Sequence, residues 1–257
     1  LLVGEIFVQT NMPDKMPEDG YSFEQIFPQQ AVMKYNELST RKVENRQEML
    51  DKYIGHFMSE KYDGWQVIWN GHHFISKGGK RHIIAPERWL KKSKLANLHV
   101  PLAGELVVDG EASTTVARLQ KQNSDYWDKN VYFHIFDLPV HTGTFEERYN
   151  EMQTIVKNTC KTVRKCHVKL VKQTRITSRS QIEKKFKEMI DERKEGLVFT
   201  CPKSKYKQGR CQHDRVKYKV RNDAEAIVAG YKIEDGKVKS LKVHLLENLK
   251  VSFHLGI

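Results

Sequence analysis

A lysine with the surroundings of a covalent nucleophile stands near residue 60. Lys61 lies in the segment Ser-Glu-Lys-Tyr-Asp-Gly at 59–64, so an acid, Asp63, and a glycine, Gly64, follow it closely. A lysine amine attacks well only when burial or neighbouring cations lower its pKa. A solvated lysine in a turn is the simpler explanation of this segment by itself, so the hypothesis of a nucleophile depends on the rest of the chain.

Other residues suited to nucleotide chemistry stand at or near the ends of predicted strands, where a rigid scaffold presents functional groups. Lysines can hold phosphates, carboxylates can hold a divalent metal ion or a ribose hydroxyl, and a phenylalanine can stack on a base. These residues are Lys77, Glu105, Phe136, Asp137, Glu195, Lys217 and Lys219.

Lys217 and Lys219 are two residues apart, a spacing that would let them bind one ligand together. Residues two apart on a strand share a face, so both ammonium groups would lie together and suit a polyphosphate. A solvated strand face explains one such pair more simply. The pair therefore gains meaning only beside the other groups.

The pattern of apolar residues predicts the strands and helices that position these groups. A hairpin is predicted over 65–77, because Asn70-Gly71 between two apolar runs favours a tight two-residue turn. The hairpin places Lys61 just before one strand and Lys77 at the end of its partner. The other strands predicted in this part of the chain are 102–108, 131–137, 196–199 and 215–220, and the predicted helices are 113–122, 145–158 and 181–194.

Two further predictions concern segments nearer the ends of the chain. Thr40 is predicted to cap a helix whose apolar face includes Val43, Leu50 and Phe57. After residue 220, three strands are predicted without a helix, over 224–233, 238–246 and 249–255. Such a run indicates part of a small β-barrel.

Composition favours a polyanionic partner. The 257 residues include 44 Lys and Arg against 32 Asp and Glu, a net charge of +12, and such an excess is typical of proteins that bind nucleic acid. The basic segment at 204–212 offers Lys205, Lys207 and Arg210 as candidate backbone contacts, and a plain basic loop explains it equally well. The sequence holds no run of about 18 apolar residues, so no membrane partner is predicted.

The cysteines point to a reducing environment. Their spacings fit no usual zinc site. We interpret all of them as reduced packing residues, which favours an intracellular protein whose compartment is unknown. They are Cys160, Cys166, Cys201 and Cys211.

Seven motifs in one order resemble those of ATP-dependent DNA ligases of the compact type. Lys61 stands in a segment that resembles the family's K-x-D-G signature, and Lys217 to Lys219 resembles its K-x-K motif. One such match is weak, whereas seven in order at similar spacings are specific. The matching segments are 59–64, 76–79, 104–106, 133–138, 145–148, 195–198 and 217–219, the last followed by Asp-Ala-Glu-Ala at 223–226.

The resemblance implies an α+β fold in two domains. Residues 1–220 would form a nucleotidyltransferase (ATP-grasp-like) domain of antiparallel sheets flanked by helices, and 221–257 would begin an OB-fold β-barrel that is incomplete in this chain. It also implies ATP-dependent sealing of 5′-phosphate/3′-hydroxyl nicks through a lysyl-AMP intermediate. The cofactors would be ATP and Mg²⁺ (or Mn²⁺), the partner nicked double-stranded DNA, and the enzyme a monomer.

The resemblance also assigns roles to residues. Glu105 would meet the ribose, and Phe136 would pack on the adenine. Catalytic roles fall on Lys61, Asp63, Lys217 and Lys219. Nucleotide binding falls on Glu60, Lys61, Lys77, Glu105, Phe136, Glu195, Lys217 and Lys219, metal binding on Glu195 and Glu105, and nucleic-acid binding on Lys77, Lys205, Lys207 and Arg210.

Departures from the family pattern keep other functions open. Gln66 stands where an arginine is common, Lys77 replaces an arginine, and the last basic motif of the OB-fold is not among these residues. An RNA ligase or an mRNA capping guanylyltransferase would share the lysine nucleophile. A non-catalytic nucleic-acid-binding relic of the fold is the alternative outside enzymes. The Asp-Ala-Glu-Ala segment favours the DNA ligase.

Overall fold

The computed structural model describes residues 16–29, 31–38, 46–80, 82–109, 119, 124–163, 165–211, 213–220 and 225–256. It groups the chain into two compact units, Leu1–Val220 and Arg221–Ile257. No helix in these described ranges is long and apolar enough to cross a membrane. The helices are α1 (Phe23–Ile26), α2 (Arg46–Asp51), α3 (Glu87–Ser93), α4 (Ser124–Asn130), α5 (Phe145–Cys160) and α6 (Arg179–Asp191), with a 3₁₀ turn at Leu95–Asn97.

Strands make up most of both units. Those of the first unit are β1 (Met33–Lys34), β2 (Asn36–Glu37), β3 (Phe57–Glu60), β4 (Trp65–Trp69), β5 (Phe74–Ser76), β6 (His82–Ile83), β7 (Leu102–Val108), β8 (Val131–Asp137), β9 (Val168–Leu170), β10 (Thr174–Arg175), β11 (Gly196–Thr200), β12 (Gly209–Arg210) and β13 (Arg215–Lys219). Those of the second are β14 (Ala226–Glu234), β15 (Lys237–Leu245) and β16 (Asn248–Gly256).

Two larger sheets form the frame of the first unit. One has six strands in the order β6-β5-β4-β7-β8-β9, and the other has five in the order β10-β3-β11-β13-β2. Their strand pairs are antiparallel, apart from parallel pairing of β8 with β9 and of β13 with β2. A parallel pair of β1 and β12 forms a small third sheet.

Burial on both faces explains the unbroken apolar strands. Every residue of β11 is buried, and so is every residue of β8 except Phe136. Such strands read as continuous apolar runs because neither face meets solvent. Helix α5 is amphipathic instead, with Met152 and Ile155 buried, and Thr144 begins it through a capping box with Glu147. These elements match the sequence prediction closely.

The second unit, described by itself, is a three-stranded antiparallel sheet in the order β14-β15-β16. Its strands lie where the alternating pattern predicted them. Residues 225–256 do not close into a barrel. The predicted α+β fold class, with sheets that are mainly antiparallel, is confirmed.

The predicted two-residue turn of the first hairpin is wrong. Trp69 pairs with Phe74, so four residues, 70–73, join β4 to β5. Asn70 explains the longer loop, because its side-chain oxygen accepts hydrogen bonds from the backbone N–H groups of His72 and His73. Its amide nitrogen also donates to the carbonyl of Tyr21 at 2.9 Å. The asparagine is thus a buried anchor of the loop.

The predicted helix before residue 60 is only partly correct. Helix α2 ends at Asp51, and Phe57 begins β3 instead of lying on the helix face. Strand formation there is favoured by pairing of β3 with β11. The predicted cap Thr40 with Val43, nearly all of the predicted helix at 113–122, and Asp223 with Ala224 lie outside the described residues.

The expectation that all the cysteines are reduced is wrong. Cys160 and Cys166 form a disulfide. Helix α5 ends at Cys160 and β9 begins at Val168, so the short connection brings the two Cα atoms to 5.5 Å, a separation that a disulfide accommodates. Cys201 and Cys211 are free. The cysteines therefore no longer support an intracellular compartment.

A buried carboxylate joins both large sheets and the main helix. Asp137 ends β8 and is fully buried, and its carboxylate accepts from Arg148 of α5 at 2.6 Å and from Arg215 of β13 at 2.7 Å. Burial alone would raise the pKa of Asp137, but the two guanidinium charges outweigh burial and hold its pKa below the ordinary value. The carboxylate is therefore ionised and paired in the folded protein.

We expect Asp137→Ala to lower the free energy of unfolding by about 3–5 kcal/mol, because it leaves two buried guanidinium groups without their anion. Urea denaturation measures the change. Asp125→Ala is the matched control, since Asp125 pairs with Arg88 at the surface and exposed pairs contribute about 1 kcal/mol or less. Equal effects of the two substitutions would contradict a structural role for the buried carboxylate.

Candidate active site

Lys61 is held at the junction of two strands. It follows the last residue of β3, and its backbone N–H donates to the carbonyl of Gly196 at the start of β11, at 2.8 Å. Three residues later the chain turns into β4. Gly64 allows this turn, because a Cβ at that position would lie 2.4 Å from the carbonyl oxygen of Leu106. The sequence Asp-Gly thus brings the lysine segment against β7.

The ammonium group of Lys61 shares a carboxylate with a second lysine. Lys61 Nζ lies 2.5 Å from Glu195 Oε2, and Lys219 Nζ lies 2.8 Å from Glu195 Oε1. Strand pairing creates the arrangement, since Gly196 of β11 pairs with Lys219 of β13. Burial would raise the pKa of Glu195, but the hydrogen bonds from Lys219 and Lys61 outweigh it and lower that pKa. The carboxylate is the centre of a charged cluster.

A cavity of about 430 Å³, counting its part open to solvent, adjoins this cluster. Strands of both large sheets contribute to the walls. The lining residues are Tyr35, Ser59, Glu60, Lys61, Tyr62, Glu105, Phe136, Val171, Gln173, Val198, Thr200 and Arg215.

Glu105 is a carboxyl group in an unfavourable place for a negative charge. Burial raises its pKa to about 8, helped by the negative charges of Glu195 and Asp63, whereas Lys61 and Lys77 act to lower it. The side chain is thus largely protonated at neutral pH. On the neighbouring strand its pairing partner is Gln66, the residue that stands in place of an arginine. A strongly perturbed carboxyl in a cavity is a mark of functional sites.

Phe136, Tyr35 and Arg215 form an aromatic and cationic wall of the cavity. Phe136 lies 6.3 Å from Tyr35, centre to centre, in an edge arrangement. The guanidinium carbon of Arg215 lies 5.6 Å from the ring centre of Tyr35 and 5.9 Å from that of Phe136. These rings offer flat apolar surface for a planar ligand.

Three other predicted nucleotide-binding residues take different positions. Glu60 lines the cavity but pairs with Lys194 at 2.8 Å, and Lys217 pairs with Glu37 of β2 at 3.1 Å. Lys77 is exposed just after β5, near enough to lower the pKa of Glu105. Only Lys219 of the lysine pair therefore reaches Glu195.

The predicted alternation along β13 is nevertheless observed. Lys217 and Lys219 are partly exposed, while Tyr218 between them is buried against Phe186 with ring centres 3.9 Å apart. Asp63 is exposed in the turn after Lys61. Its charge reaches Glu105 and raises the pKa of that carboxyl.

The basic segment is anchored by its aromatic residue. The hydroxyl of Tyr206 accepts from the backbone N–H of Met33 at 3.1 Å, and its ring packs in the core beside Phe27. Lys205 is exposed, and the exposed Lys207 pairs with Asp214 at 2.6 Å. Arg210 lies on β12. Tyr206 therefore fixes the segment, and the lysines beside it meet solvent.

Several cavity residues were missed by sequence reasoning. Arg215 carried a usable signal, because it precedes Lys217 by two residues on one strand and so shares its face. Tyr35 lies between β1 and β2, two strands of two residues each that are too short to show a pattern. Gln173 lies between β9 and β10, and nothing in its local pattern indicates that the parallel pairing of β9 carries it to the cavity.

The described residues contain no group of three or more His, Cys, Asp or Glu side chains placed to hold a metal ion. The site offers a pair of carboxylates, Glu105 and Glu195, close enough for the charge of one to raise the pKa of the other. Mg²⁺ commonly binds through one or two protein carboxylates together with substrate phosphates and water. The donor set therefore fits a metal that arrives with a nucleotide.

The α+β fold of two antiparallel-rich sheets, with Lys61, Glu105 and Phe136 lining one cavity, is that of a nucleotidyltransferase domain. The family model for the ATP dependent DNA ligase domain matches residues 37–219, about seven-tenths of the chain. The protein belongs to that family. No curated protein matches the sequence.

Solved structures agree with this assignment at the level of fold. A Lig E DNA ligase shares 24% identity, with a TM-score of 0.67, over 87% of this chain and 84% of its own. Chlorella virus DNA ligase-adenylate shares 18%, with a TM-score of 0.51, over 88% and 84%. Mycobacterial DNA ligase D complexed with ATP shares 19%, with a TM-score of 0.52, over 90% and 73%.

The raised pKa of Glu105 predicts a pH-dependent cost to folding. The carboxyl titrates near 4.5 in an unfolded chain and near 8 when folded. The stability that its protonated form contributes is therefore fully present below pH 4.5 and is lost as the pH rises through about 8. We expect Glu105→Gln to raise the melting temperature relative to the unchanged protein, and the gain to grow from about pH 5 to about pH 8.5.

Thermal denaturation across that pH range measures the difference. Glu24→Gln is the control, because Glu24 is exposed in the first turn of α1. A gain that stays constant with pH, or one matched by the control, would show that Glu105 titrates in its ordinary range.

Proposed function

We propose that this protein is an ATP-dependent DNA ligase that seals nicks between a 3′-hydroxyl and a 5′-phosphate. In the first step the neutral amine of Lys61 attacks the α-phosphorus of ATP, a phosphorus–nitrogen bond forms, and pyrophosphate leaves as the amine gives up a proton. AMP then passes to the 5′-phosphate of the nick and frees the lysine. Attack by the 3′-hydroxyl joins the strand and releases AMP.

The arrangement of Lys61, Glu195 and Lys219 is the observation that supports this proposal most. Lys61 pairs with Glu195, so its amine must leave the carboxylate and be neutral before it attacks. Lys219 supplies a second cation beside Glu195. Transfer of a phosphoryl-type group depends mainly on alignment and neutralisation of charge, which two lysines and a carboxylate can provide.

The remaining residues take roles in binding. Phe136 would pack on the adenine, and Glu105 would meet the ribose or share the metal with Glu195. Mg²⁺ or Mn²⁺, when bound with ATP, would neutralise the phosphate charges. Lys217 would contact phosphate after release from Glu37, and Lys77 would contact the nick phosphate. Asp63 would orient the amine of Lys61.

DNA would be held through its backbone. The net charge of +12 favours a polyanion, and the exposed Lys205 and Lys207 lie in a segment fixed by Tyr206. Lys77 and Arg210 are further candidates for phosphate contacts. Such contacts position the duplex without reading its sequence, as sealing of nicks at any sequence requires.

We expect incubation with ATP and Mg²⁺ to add one AMP to the protein, and Lys61→Ala to abolish the adduct because Lys61 is the one lysine among the described residues that line the cavity. Intact mass followed by peptide mapping measures both. Lys52→Ala, at an exposed position nearby, should retain the adduct. A nucleotide mapped to another residue, or labelling by GTP and not ATP, would refute the proposal.

We expect Lys205→Ala to lower the salt dependence of binding to nicked DNA by about one unit of slope in log K against log salt, because it removes one phosphate contact. Lys207→Ala should have a smaller effect, since Asp214 already pairs with that lysine. Filter binding over a salt series measures the slopes. Lys187→Ala on α6 is the exposed control. If Lys187→Ala changed the slope as much as Lys205→Ala does, the basic segment would not be part of the interface with DNA.

A further inference from the structure

A cationic surface lies at β9, the edge strand of the six-stranded sheet. Residues 152–182 hold eight Lys and Arg and no Asp or Glu. Two exposed lysines of this stretch converge on one aromatic ring, since the ammonium nitrogens of Lys165 and Lys169 lie 5.4 Å and 3.8 Å from the ring centre of Tyr132 on β8. We call Tyr132, Lys165 and Lys169 the β9 edge surface.

The charges of the β9 edge surface are not neutralised by the described part of the chain. Neither lysine pairs with a carboxylate there, and Lys165 donates instead to the carbonyl of Lys129 at 3.0 Å. Asp128, beside Lys129 in the sequence, is buried and already pairs with Arg88 and Lys92. Two like charges beside one ring repel each other, so an anion bound there would remove an electrostatic cost.

Strand register places Lys169 on the same face of the sheet as the cavity. Glu105, which lines the cavity, pairs with His134, and His134 pairs with Lys169. Paired residues on neighbouring strands share a face, and the strands lie about 4.8 Å apart, so Lys169 stands about 10 Å from Glu105. The ring of Tyr62, the residue after Lys61, packs on His134 with ring centres 4.1 Å apart. One row of side chains thus leads from the nucleophile to the sheet edge.

We infer that the β9 edge surface binds the phosphate backbone of the nicked duplex, about three nucleotides from the nick. The inference rests on the proposed function, because it places the nick phosphate at Lys61. Successive nucleotides of one strand rise about 3.4 Å along the duplex, so a site about 10 Å along the sheet meets the third phosphate. That phosphate would accept from both ammonium groups.

A nucleic acid fits this surface better than an acidic protein does. The row of side chains runs without a break from the cavity where the reacting phosphate would lie, so one continuous polyanion can occupy both places. Lysines bind phosphate as point charges on flexible stems. Such contacts fix the register and orientation of a duplex without reading its bases, and a ligase needs that orientation to align the two ends of a nick.

The test compares the full chain with four variants. Lys165→Ala and Lys169→Ala each remove one charge, and Lys169→Arg keeps it. Lys157→Ala is the matched control, because this exposed lysine belongs to the same basic stretch but lies on α5, which packs through Ile155 with Phe133 on the opposite face of β8. Anisotropy of a labelled nicked duplex measures affinity over about 50–200 mM salt.

We expect Lys165→Ala and Lys169→Ala each to weaken binding up to about tenfold and to lower the slope of log K against log salt by about one unit. Lys169→Arg should retain both, and Lys157→Ala should change neither. The rate of AMP addition to Lys61, which needs no DNA, should be equal in all variants. Affinities and slopes that match the control would overturn the inference, and an acidic protein would then be the partner that the charges fit.

Neutral methylphosphonate linkages locate the contact along the DNA. One linkage at a time replaces each phosphate within about six nucleotides of the nick on either side. We expect a linkage about three nucleotides from the nick to weaken binding by the unchanged protein and to have no further effect on Lys169→Ala, because both changes remove the same contact.

The outcomes separate this inference from the proposed function. Additive effects of Lys169→Ala and the neutral linkage at every position would overturn the inference, while an AMP adduct on Lys61 would leave the proposed function standing. Absence of the adduct from the unchanged protein would overturn the proposed function. The binding measurements use no ATP, so they decide the inference in either case.

Discussion

The paired carboxylate of Asp137 is the constraint on which the geometry of the cavity depends. It stands at the end of β8, directly after Phe136, and binds arginines from α5 and β13. One buried anion therefore sets the distance between Phe136, which belongs to the six-stranded sheet, and the strand that carries Lys217 and Lys219. Replacement by a neutral residue would leave two cations in the core, which is why such triads are hard to alter singly.

Glu195 has a corresponding function beside the cavity, next to Lys61. Pairing of β11 with β3 and β13 places its carboxylate between Lys61 and Lys219. One carboxylate thus holds together the ammonium groups of two strands. In the proposed reaction, pairing with Lys61 and binding of a metal ion would be competing uses of this carboxylate.

Sequence alone predicted the strands well where the apolar run was unbroken, as at β8, or alternated with lysines, as at β13, and it singled out Lys61, Glu105 and Phe136, which line one cavity. It failed where side chains made bonds that no local pattern shows. Asn70 lengthens a loop by accepting hydrogen bonds from the backbone of His72 and His73, and Lys217 pairs with Glu37 of a strand too short to show a pattern. Pairing of Cys160 with Cys166 was equally hidden, because closeness in sequence did not reveal the geometry between α5 and β9.

Helix α5 is tied to the cavity wall at both ends. Near its start, Arg148 forms an ion pair with Asp137 at the end of β8. Its last residue, Cys160, forms a disulfide with Cys166, just before β9. The strand leads directly to Val171 and Gln173 in the wall. The helix is thus linked to the cavity wall by an ion pair at one end and by a covalent bond at the other, and reduction of the disulfide would loosen the side of the cavity that Val171 and Gln173 line.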